Sequence, residues 1–337
     1  MKILTSVSLL PYNTFGIDVK ADYFAEYQSV AELVELLQFC ASSGQKLFHI
    51  GGGSNLLFLS DFKGIILHSK INFIEKTDET ADEVLLAVGG GVIWDDFVNY
   101  CVTNNYCGAE NLSLVPGEVG AAAVQNIGAY GAEISDIVET VETINTQTFE
   151  KQIFTNSECK YDYRKSVFKT SLKGKNIVTS VNFRLSKKAN FRLEYSHLEQ
   201  DILSKYSEIN LANIRDTVIS IRRSKLPDPK VAGNAGSFFT NPYICTAHYE
   251  GIKKHFPEMP HYPVNQGVVK APAAWLIEQC GWKGKSLGYA AVNDRQPLAL
   301  VNQGNAKGSD ILALATEIQK SVKEKFFIDL QMEVEIV

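Results

Sequence analysis

The chain has 337 residues, 45% of them apolar and 21% charged, and a net charge of −5. At the usual domain size of about 100–200 residues, that length predicts two or three domains with sizeable cores. An acidic chain with no long basic run excludes general binding to nucleic acid or to an anionic membrane, and leaves room for one local basic pocket around a phosphorylated ligand.

The N-terminal MKILTSVSLLPYNTFG has one lysine and a short apolar run broken by Ser and Thr. It reads as a poor signal peptide, is too short to span a membrane, and is expected to begin the fold. SVAELVELLQFCASSG (29–44) predicts a helix with Val30, Leu33, Val34, Leu37 and Cys40 on one face, a Ser29/Glu32 capping box and a stop at Gly44. KLFHI (46–50) and LLFL (56–59) have strand character, so the intervening GGGSN joins strand to strand. Rossmann and P-loop glycines instead join strand to helix. Free N–H groups of such a loop can still form a concave anion-binding nest.

GIILHS (64–69) and EVLLAVGGG (83–91) read as strands, and IWDDFVNYCVTNN (93–105) as a helix. Residues 111–136, NLSLVPGEVGAAAVQNIGAYGAEISD, are rich in glycine and alanine, and suggest backbone running closely along a flat ligand. NIVTSVNFRLS (176–186) resumes strand-like alternation, and NIRDTVISIRRSK (213–225) predicts a helix that LPDP breaks. Helices are also expected over 271–282 and 309–326. The end, DLQMEVEIV, alternates as one strand, with Leu330, Met332, Val334 and Ile336 on one side and Gln331, Glu333 and Glu335 on the other.

Cys40, Cys101, Cys107, Cys159, Cys245 and Cys280 lie far apart with no C-x-x-C pair, which fits reduced thiols of a cytoplasmic protein. The six histidines form no H-E-x-x-H or close cluster, so no metal centre is expected. In KVAGNAGSFFTNP (230–242) a serine, Ser237, is delivered by a small-residue loop, yet the G-x-S-x-G nucleophile pattern is absent.

Taken in order, NTFGI, GGGSNLLF, PGEVGAAAVQNIGAYGAE, YRKSVFK, SKLPDPKVAGNAGSFFTNP, AAWLIEQCGWKG and LQMEV resemble the UDP-N-acetylenolpyruvoylglucosamine reductases. These are flavoenzymes that complete the muramic acid precursor of peptidoglycan. The resemblance runs from about residue 10 to the C-terminus and includes the tyrosine loop of the family's longer form. It implies an α+β chain: a two-subdomain FAD-binding fold of the vanillyl-alcohol-oxidase type plus a C-terminal α+β substrate-binding domain. The expected boundaries are 1–70, 71–222 and 223–328, with 329–337 returning to the first. Non-covalent FAD, NADPH as reductant and the enolpyruvyl ether of UDP-N-acetylglucosamine as substrate follow, in a cytoplasmic monomer. A flavin oxidase of an alcohol or sugar on the same fold is the alternative; GNAGSFF and LQMEV favour the reductase.

Residue by residue, the resemblance makes Ser237 the proton donor to the carbon beside the substrate carboxylate, and Arg164 a stabiliser of the charge that develops there. Glu333 works with Arg164, either orienting an enol or supplying a proton. Many family members carry a basic residue where Glu335 stands and continue past it, so the local support of Glu333 differs here. The flavin is expected against Gly51, Gly52, Gly53, Ser54 and Asn55, along Pro116, Gly117, Gly120, Gln125, Asn126, Gly128, Ala129 and Gly131, and beside Arg164 and Arg222. Tyr195, Lys225, Asn241, Tyr262, Lys270, Lys283 and Gln296 are expected near the UDP-sugar.

Overall fold

The computed structural model describes residues 2–195 and 197–337. Strands β1 (Leu4–Ser8) and β2 (Lys20–Tyr27) lead into helix α1 (Val30–Ser43). Ser29 Oγ accepts from the N–H of Glu32 at 3.2 Å, as the S-x-x-E spacing predicts. The reciprocal bond is shifted by one residue: Glu32 Oε2 accepts from the N–H of Gln28, at 2.7 Å, rather than from the cap itself. Leu33, Leu36, Leu37 and Cys40 face the core, while Val30, in the first turn, is exposed.

Strand β3 (Leu47–Ile50), the glycine loop and β4 (Leu56–Leu57) follow, so the loop does join strand to strand. Strand β5 (Phe62–Ser69) then takes β2 and β3 as parallel neighbours, in the order β1-β2-β5-β3. Seven of its eight residues are buried, the near-continuous apolar run of a strand covered on both faces.

The next elements are β6 (Ile74–Glu79), β7 (Glu83–Gly89), α2 (Trp94–Thr103) and α3 (Val119–Gln125). A small hairpin, β8 (Gly128–Ala129) and β9 (Ala132–Glu133), precedes β10 (Val138–Asn145), β11 (Lys151–Thr155) and β12 (Asn176–Ser186). They build an antiparallel sheet in the order β11-β10-β12-β7-β6. Helix α3 lies within residues 111–136, where the sequence reading assigned no element. Val119, Ala122 and Ala123 lie in the core of this sheet, so part of the small-residue run serves close helix–sheet packing. A Cβ on Gly120 would stand 3.1 Å from the carbonyl oxygen of Gly90.

Helices α4 (Leu198–Leu203) and α5 (Leu211–Lys225) pack through Leu198, Ile202, Ile214 and Val218, with Tyr130 against them. Past α5 come β13 (Gly233–Ser237), β14 (Tyr243–Cys245), α6 (Thr246–Lys253), β15 (Tyr262–Asn265), β16 (Val268–Lys270) and α7 (Ala273–Gln279). Then follow β17 (Ser286–Leu287), β18 (Ala290–Val292), β19 (Ala299–Asn302), α8 (Gly308–Phe326) and β20 (Glu335–Ile336). The sheets here run β13-β19-β18-β17 and β14-β16-β15, and β20 pairs in parallel with β4.

The chain forms two compact units. One holds Met1–Val7, Ala21–Gly53 and Phe62–Arg222; the other holds Ser8–Lys20, Ser54–Asp61 and Arg223–Val337. The last nine residues are not the single strand that their alternation suggested. Met332 bridges to Phe239, and Glu335–Ile336 pair with Leu56–Leu57, so two different partners divide the segment. Its alternation survives in the burial of Leu330 and Val334.

Candidate functional site

In the first unit two glycine segments touch. A Cβ added to Gly51 would lie 3.0 Å from Ala121 Cβ and 3.3 Å from Glu118 Oε2, and one on Gly52 would lie 3.3 Å from Gly117 Cα. The N–H groups of Gly51 and Gly52 bond to no other described residue, and Gly53 turns the chain at φ 64°. Gly117 is anchored by its carbonyl, which accepts from Trp94 N–H at 3.0 Å, and Gly120 donates to Gly90 O at 2.9 Å.

The carboxylate of Glu118, which sequence reasoning missed, is buried beneath this junction and bonds His68 Nε2 at 2.8 Å; His68 Nδ1 meets Glu26 Oε1 at 3.2 Å. The signal was present in GIILHS, where a histidine interrupts an apolar strand. Nearby, His49 Nε2 bonds the Tyr27 hydroxyl at 2.9 Å. Burial, with a smaller electrostatic contribution from His68, lowers the His49 pKa from 6.5 to about 3. As pH drops below about 6.5, the unfolded chain binds a proton that the native site refuses, so stability is full above that pH and is lost towards pH 3. His49→Asn should therefore show a smaller fall in urea midpoint between about pH 7 and about pH 5 than the native chain. An equal fall would exclude His49 as a source of acid sensitivity.

Past α3, Asn126 caps the helix at φ 47°, and its side chain is committed within the unit: Nδ2 donates to Glu133 Oε2 and to Asp162 O, both at 2.9 Å. Gln125 precedes it at the end of α3. Gly128 and Ala129 form β8, beside Arg164, whose Nη1 donates to Asn126 O at 3.4 Å and Nη2 to Gly128 O at 2.5 Å. Arg164 has φ 56°, a conformation sterically costly for a residue with a Cβ, and its guanidinium lies 5.2 Å from the Tyr163 ring centre. A Cβ on Gly131 would meet Tyr195 Cβ at 3.3 Å, and the exposed Tyr195 ring stands edge-on to Tyr130 at 6.2 Å.

Arg222 donates from Nε to Leu114 O at 3.2 Å, and neither Nη bonds another described residue. Burial lowers its pKa, with Arg164 adding and Tyr130 and Asp95 opposing.

In the second unit Ser237 ends β13 opposite Ala299, and its hydroxyl makes no hydrogen bond among the described residues. The next residue ties it to the C-terminal segment, because Phe238 O accepts from the N–H of Glu333 at 2.8 Å. Asn55, after Ser54 in the loop that enters this unit, donates from Nδ2 to the Glu333 carbonyl at 3.1 Å. Ser237 and Glu333 are therefore neighbours through one backbone pairing.

Of the residues expected at the UDP-sugar, Tyr262 and Lys270 come together across β15 and β16, the ammonium 5.8 Å from the ring centre. Tyr243, absent from the sequence prediction, faces Lys270 from β14. Asn241 Oδ1 accepts from Ala273 N–H at 2.9 Å, which caps the start of α7. Lys283 is paired with Glu278 Oε1 at 2.8 Å. Gln296 turns inward, its Oε1 accepting from Leu298 N–H at 3.4 Å, and Lys225 is exposed at the end of α5.

Among the described residues no group of three or more His, Cys, Asp or Glu could hold a metal ion, and no helix is long and apolar enough to cross a membrane.

Residues 228–337 match the family model for the C-terminal domain of UDP-N-acetylenolpyruvoylglucosamine reductase, and residues 21–148 match that of an FAD binding domain. A UDP-N-acetylenolpyruvoylglucosamine reductase of Bacteroides fragilis is 50% identical over 330 residues, 98% of each chain. The chain belongs to the UDP-N-acetylenolpyruvoylglucosamine reductase family. The crystal structure of that reductase from Thermus caldophilus, at 21% identity, superposes with a TM-score of 0.68 over 99% of this chain and 98% of its own. The 6-hydroxy-D-nicotine oxidase of Arthrobacter nicotinovorans shares the fold at 13% identity, with a TM-score of 0.55 over 96% and 85% of the two chains. The α+β fold is thus that of an FAD-binding oxidoreductase of the vanillyl-alcohol-oxidase type.

The residues present fit a reductase's flavin. A dinucleotide needs unoccupied N–H donors, and Gly51 and Gly52 provide them where their loop packs closely on Gly117. Gly52→Ala forces a methyl into the 3.3 Å space beside Gly117 Cα, and should weaken FAD binding by about tenfold or more while secondary structure is kept. Unchanged FAD affinity by fluorescence titration would remove this junction from the cofactor site.

Proposed function

We propose that this chain works as the family's reductase through Arg164, Ser237 and Glu333, with FAD held by the glycine segments and NADPH as the reductant. The reaction is reduction of the enolpyruvyl ether of UDP-N-acetylglucosamine to the lactyl ether of UDP-N-acetylmuramate, a step of peptidoglycan precursor synthesis. Bound by these segments, FAD would supply hydride for the terminal carbon of the enolpyruvyl double bond. Charge then builds on the carbon beside the carboxylate, and that carbon must take a proton.

Ser237 is the donor. The observation that carries this is its hydroxyl, without a hydrogen-bond partner among the described residues, at the end of β13 and one residue from the backbone pairing that fixes Glu333. A serine used only to tie a tight turn would spend its hydroxyl on the backbone. Serine is a weak acid, so the proton must be replaced by relay or its oxyanion stabilised. Arg164 supports the developing enolate with fixed positive charge, and its position is set by the carbonyls of Asn126 and Gly128. Glu333 either orients the enol or returns the proton.

Pro116, Gly117, Gly120, Gln125, Gly128, Ala129 and Gly131 line the flavin's course, with Ser54, Asn55 and Arg222 completing it. For the UDP-sugar, Tyr262 and Lys270 are the best-supported contacts, since an ammonium beside an aromatic face suits a diphosphate next to a nucleobase. Tyr195, Lys225, Asn241, Lys283 and Gln296 complete that set. The engagement of Lys283 by Glu278 and of Asn241 by Ala273 means that those two must exchange or share partners to bind. The enzyme acts as a cytoplasmic monomer in this reading. Turnover of NADPH with the enolpyruvyl UDP-sugar, and none with alcohols or free sugars, tests the assignment; oxygen-dependent oxidation of an alcohol would replace it with an oxidase.

A further inference from the structure

The cofactor assignment leaves the Asp95–Arg215 pair of the first unit unused. Arg215 on α5 forms a two-point fork with Asp95 on α2, Nη1 to Oδ1 at 2.7 Å and Nη2 to Oδ2 at 2.9 Å. Asp95 Oδ1 also accepts from the backbone N–H of Leu114 at 2.6 Å. Seven residues along α5 from Arg215, two helical turns on the same face, Arg222 donates to the carbonyl of the same residue, Leu114. Both polar groups of one peptide residue are therefore held by a single helix, one directly and one through Asp95.

Leu114 has φ 56°. That left-handed conformation is disfavoured for any residue with a Cβ and persists only where the surroundings enforce it. Leu114 stands two residues before Pro116, so its conformation sets the direction in which the chain enters the 116–120 glycine segment. The side chains of the pair are mostly buried, at 13% exposure for Arg215 and 25% for Asp95, so water does not substitute readily for either. Burial would by itself raise the Asp95 pKa, but the bonds from Arg215 and the Leu114 amide outweigh it and hold the carboxyl below its ordinary value.

We infer that Asp95 and Arg215 are positioning residues for the flavin: they lock Leu114 in its left-handed conformation and thereby aim the Pro116–Gly120 backbone. Neither residue need touch the cofactor. The inference rests on the flavin lying along that segment.

The test compares FAD affinity, by flavin fluorescence, with thermal stability in Asp95→Ala, Asp95→Asn and Arg215→Met. Asp95→Ala removes the acceptor of the Leu114 amide and should raise the FAD dissociation constant by about tenfold or more. Asp95→Asn keeps an amide oxygen for that N–H and should recover most of the affinity, although it weakens the fork to Arg215. Arg215→Met should fall between them. The flavin midpoint potential of the reconstituted Asp95→Ala holoenzyme should shift, while KM for the UDP-sugar stays near that of the native enzyme. If Asp95→Ala does not fold, the Asn and Met variants decide. Dissociation constants equal to the native value in the folded variants, with only the melting temperature lowered, would overturn the inference and leave the pair as a tie between α2 and α5. Native protein that binds no FAD would instead sink the flavin reading itself.

Discussion

Ser237→Ala is expected to divide the catalytic cycle. Reduction of the bound flavin by NADPH should run at close to the native rate, because no proton from Ser237 enters that half. Reoxidation by the enolpyruvyl UDP-sugar should slow by about 10²–10⁴-fold, the range for loss of a positioned acid. The Ser237 hydroxyl makes no hydrogen bond among the described residues, so its removal orphans no buried partner and the fold should be unaffected. Ser237→Cys, which keeps an ionisable proton, should recover part of the rate. Rapid-mixing absorbance of the two half-reactions, recorded separately, checks this. Equal slowing of both halves would make Ser237 a structural residue of the β13 turn.

Gly128→Ala should produce an almost silent structural change with a large kinetic one. Its Cβ would stand 2.7 Å from Arg164 Nη1, 3.0 Å from Glu133 Cγ and 3.1 Å from Ala132 O. Glycine is needed here for space, since only at positive φ would a side chain also strain the backbone, and Gly128 is not among the positive-φ glycines. The tightest clash is with the far end of a flexible side chain, so the guanidinium should swing away and the sheet relax by tenths of an ångström. Arg164 then loses its two carbonyl anchors, Asn126 O and Gly128 O. If Arg164 supports the developing enolate, the substrate half-reaction should fall by about 10²–10³-fold, as when one oxyanion donor is removed. Arg164→Lys, which keeps charge but not the fork, should fall by a similar factor. A Gly128→Ala enzyme with a native substrate rate would exclude Arg164 from the chemistry.

How much of this was legible in the sequence depends on whether the information is local. The glycine segments were readable because close backbone approach can only be written with residues that lack side chains, and Gly51, Gly52 and Gly117 do face one another. Helix α1 was readable from its cap and its apolar spacing, and β12 from the alternation of its second half, residues 181–186. Helix α3 was not, because Gly120 and Ala121–Ala123 give no apolar stripe; only the close approach to Gly90 explains them. The division of the C-terminal strand was also hidden, since its partners, Phe239 and Leu56, lie far away in sequence.

At the site, Ser237, Arg164 and Glu333 came from a family pattern rather than from any spacing, and the conformational strain at Arg164 has no sequence signature. Glu118 and His68, fifty residues apart, carry no local mark of being a pair. The same holds for Asp95 and Arg215, separated by 120 residues. Asn126 was named from the family pattern, which carries no sign that its side chain also bonds Glu133 and the Asp162 carbonyl. Side chains spent on the protein and side chains kept for a ligand look alike until their partners are known.

The central claim is that a flavin held by these glycine segments passes reducing equivalents from NADPH to the enolpyruvyl UDP-sugar. Its most direct measurement is the visible spectrum of the purified protein under anaerobic conditions. The account predicts a yellow protein whose flavin bands bleach on addition of NADPH and return on addition of the enolpyruvyl UDP-sugar. Bands that bleach with NADPH but return only with oxygen, the UDP-sugar having no effect, would contradict it.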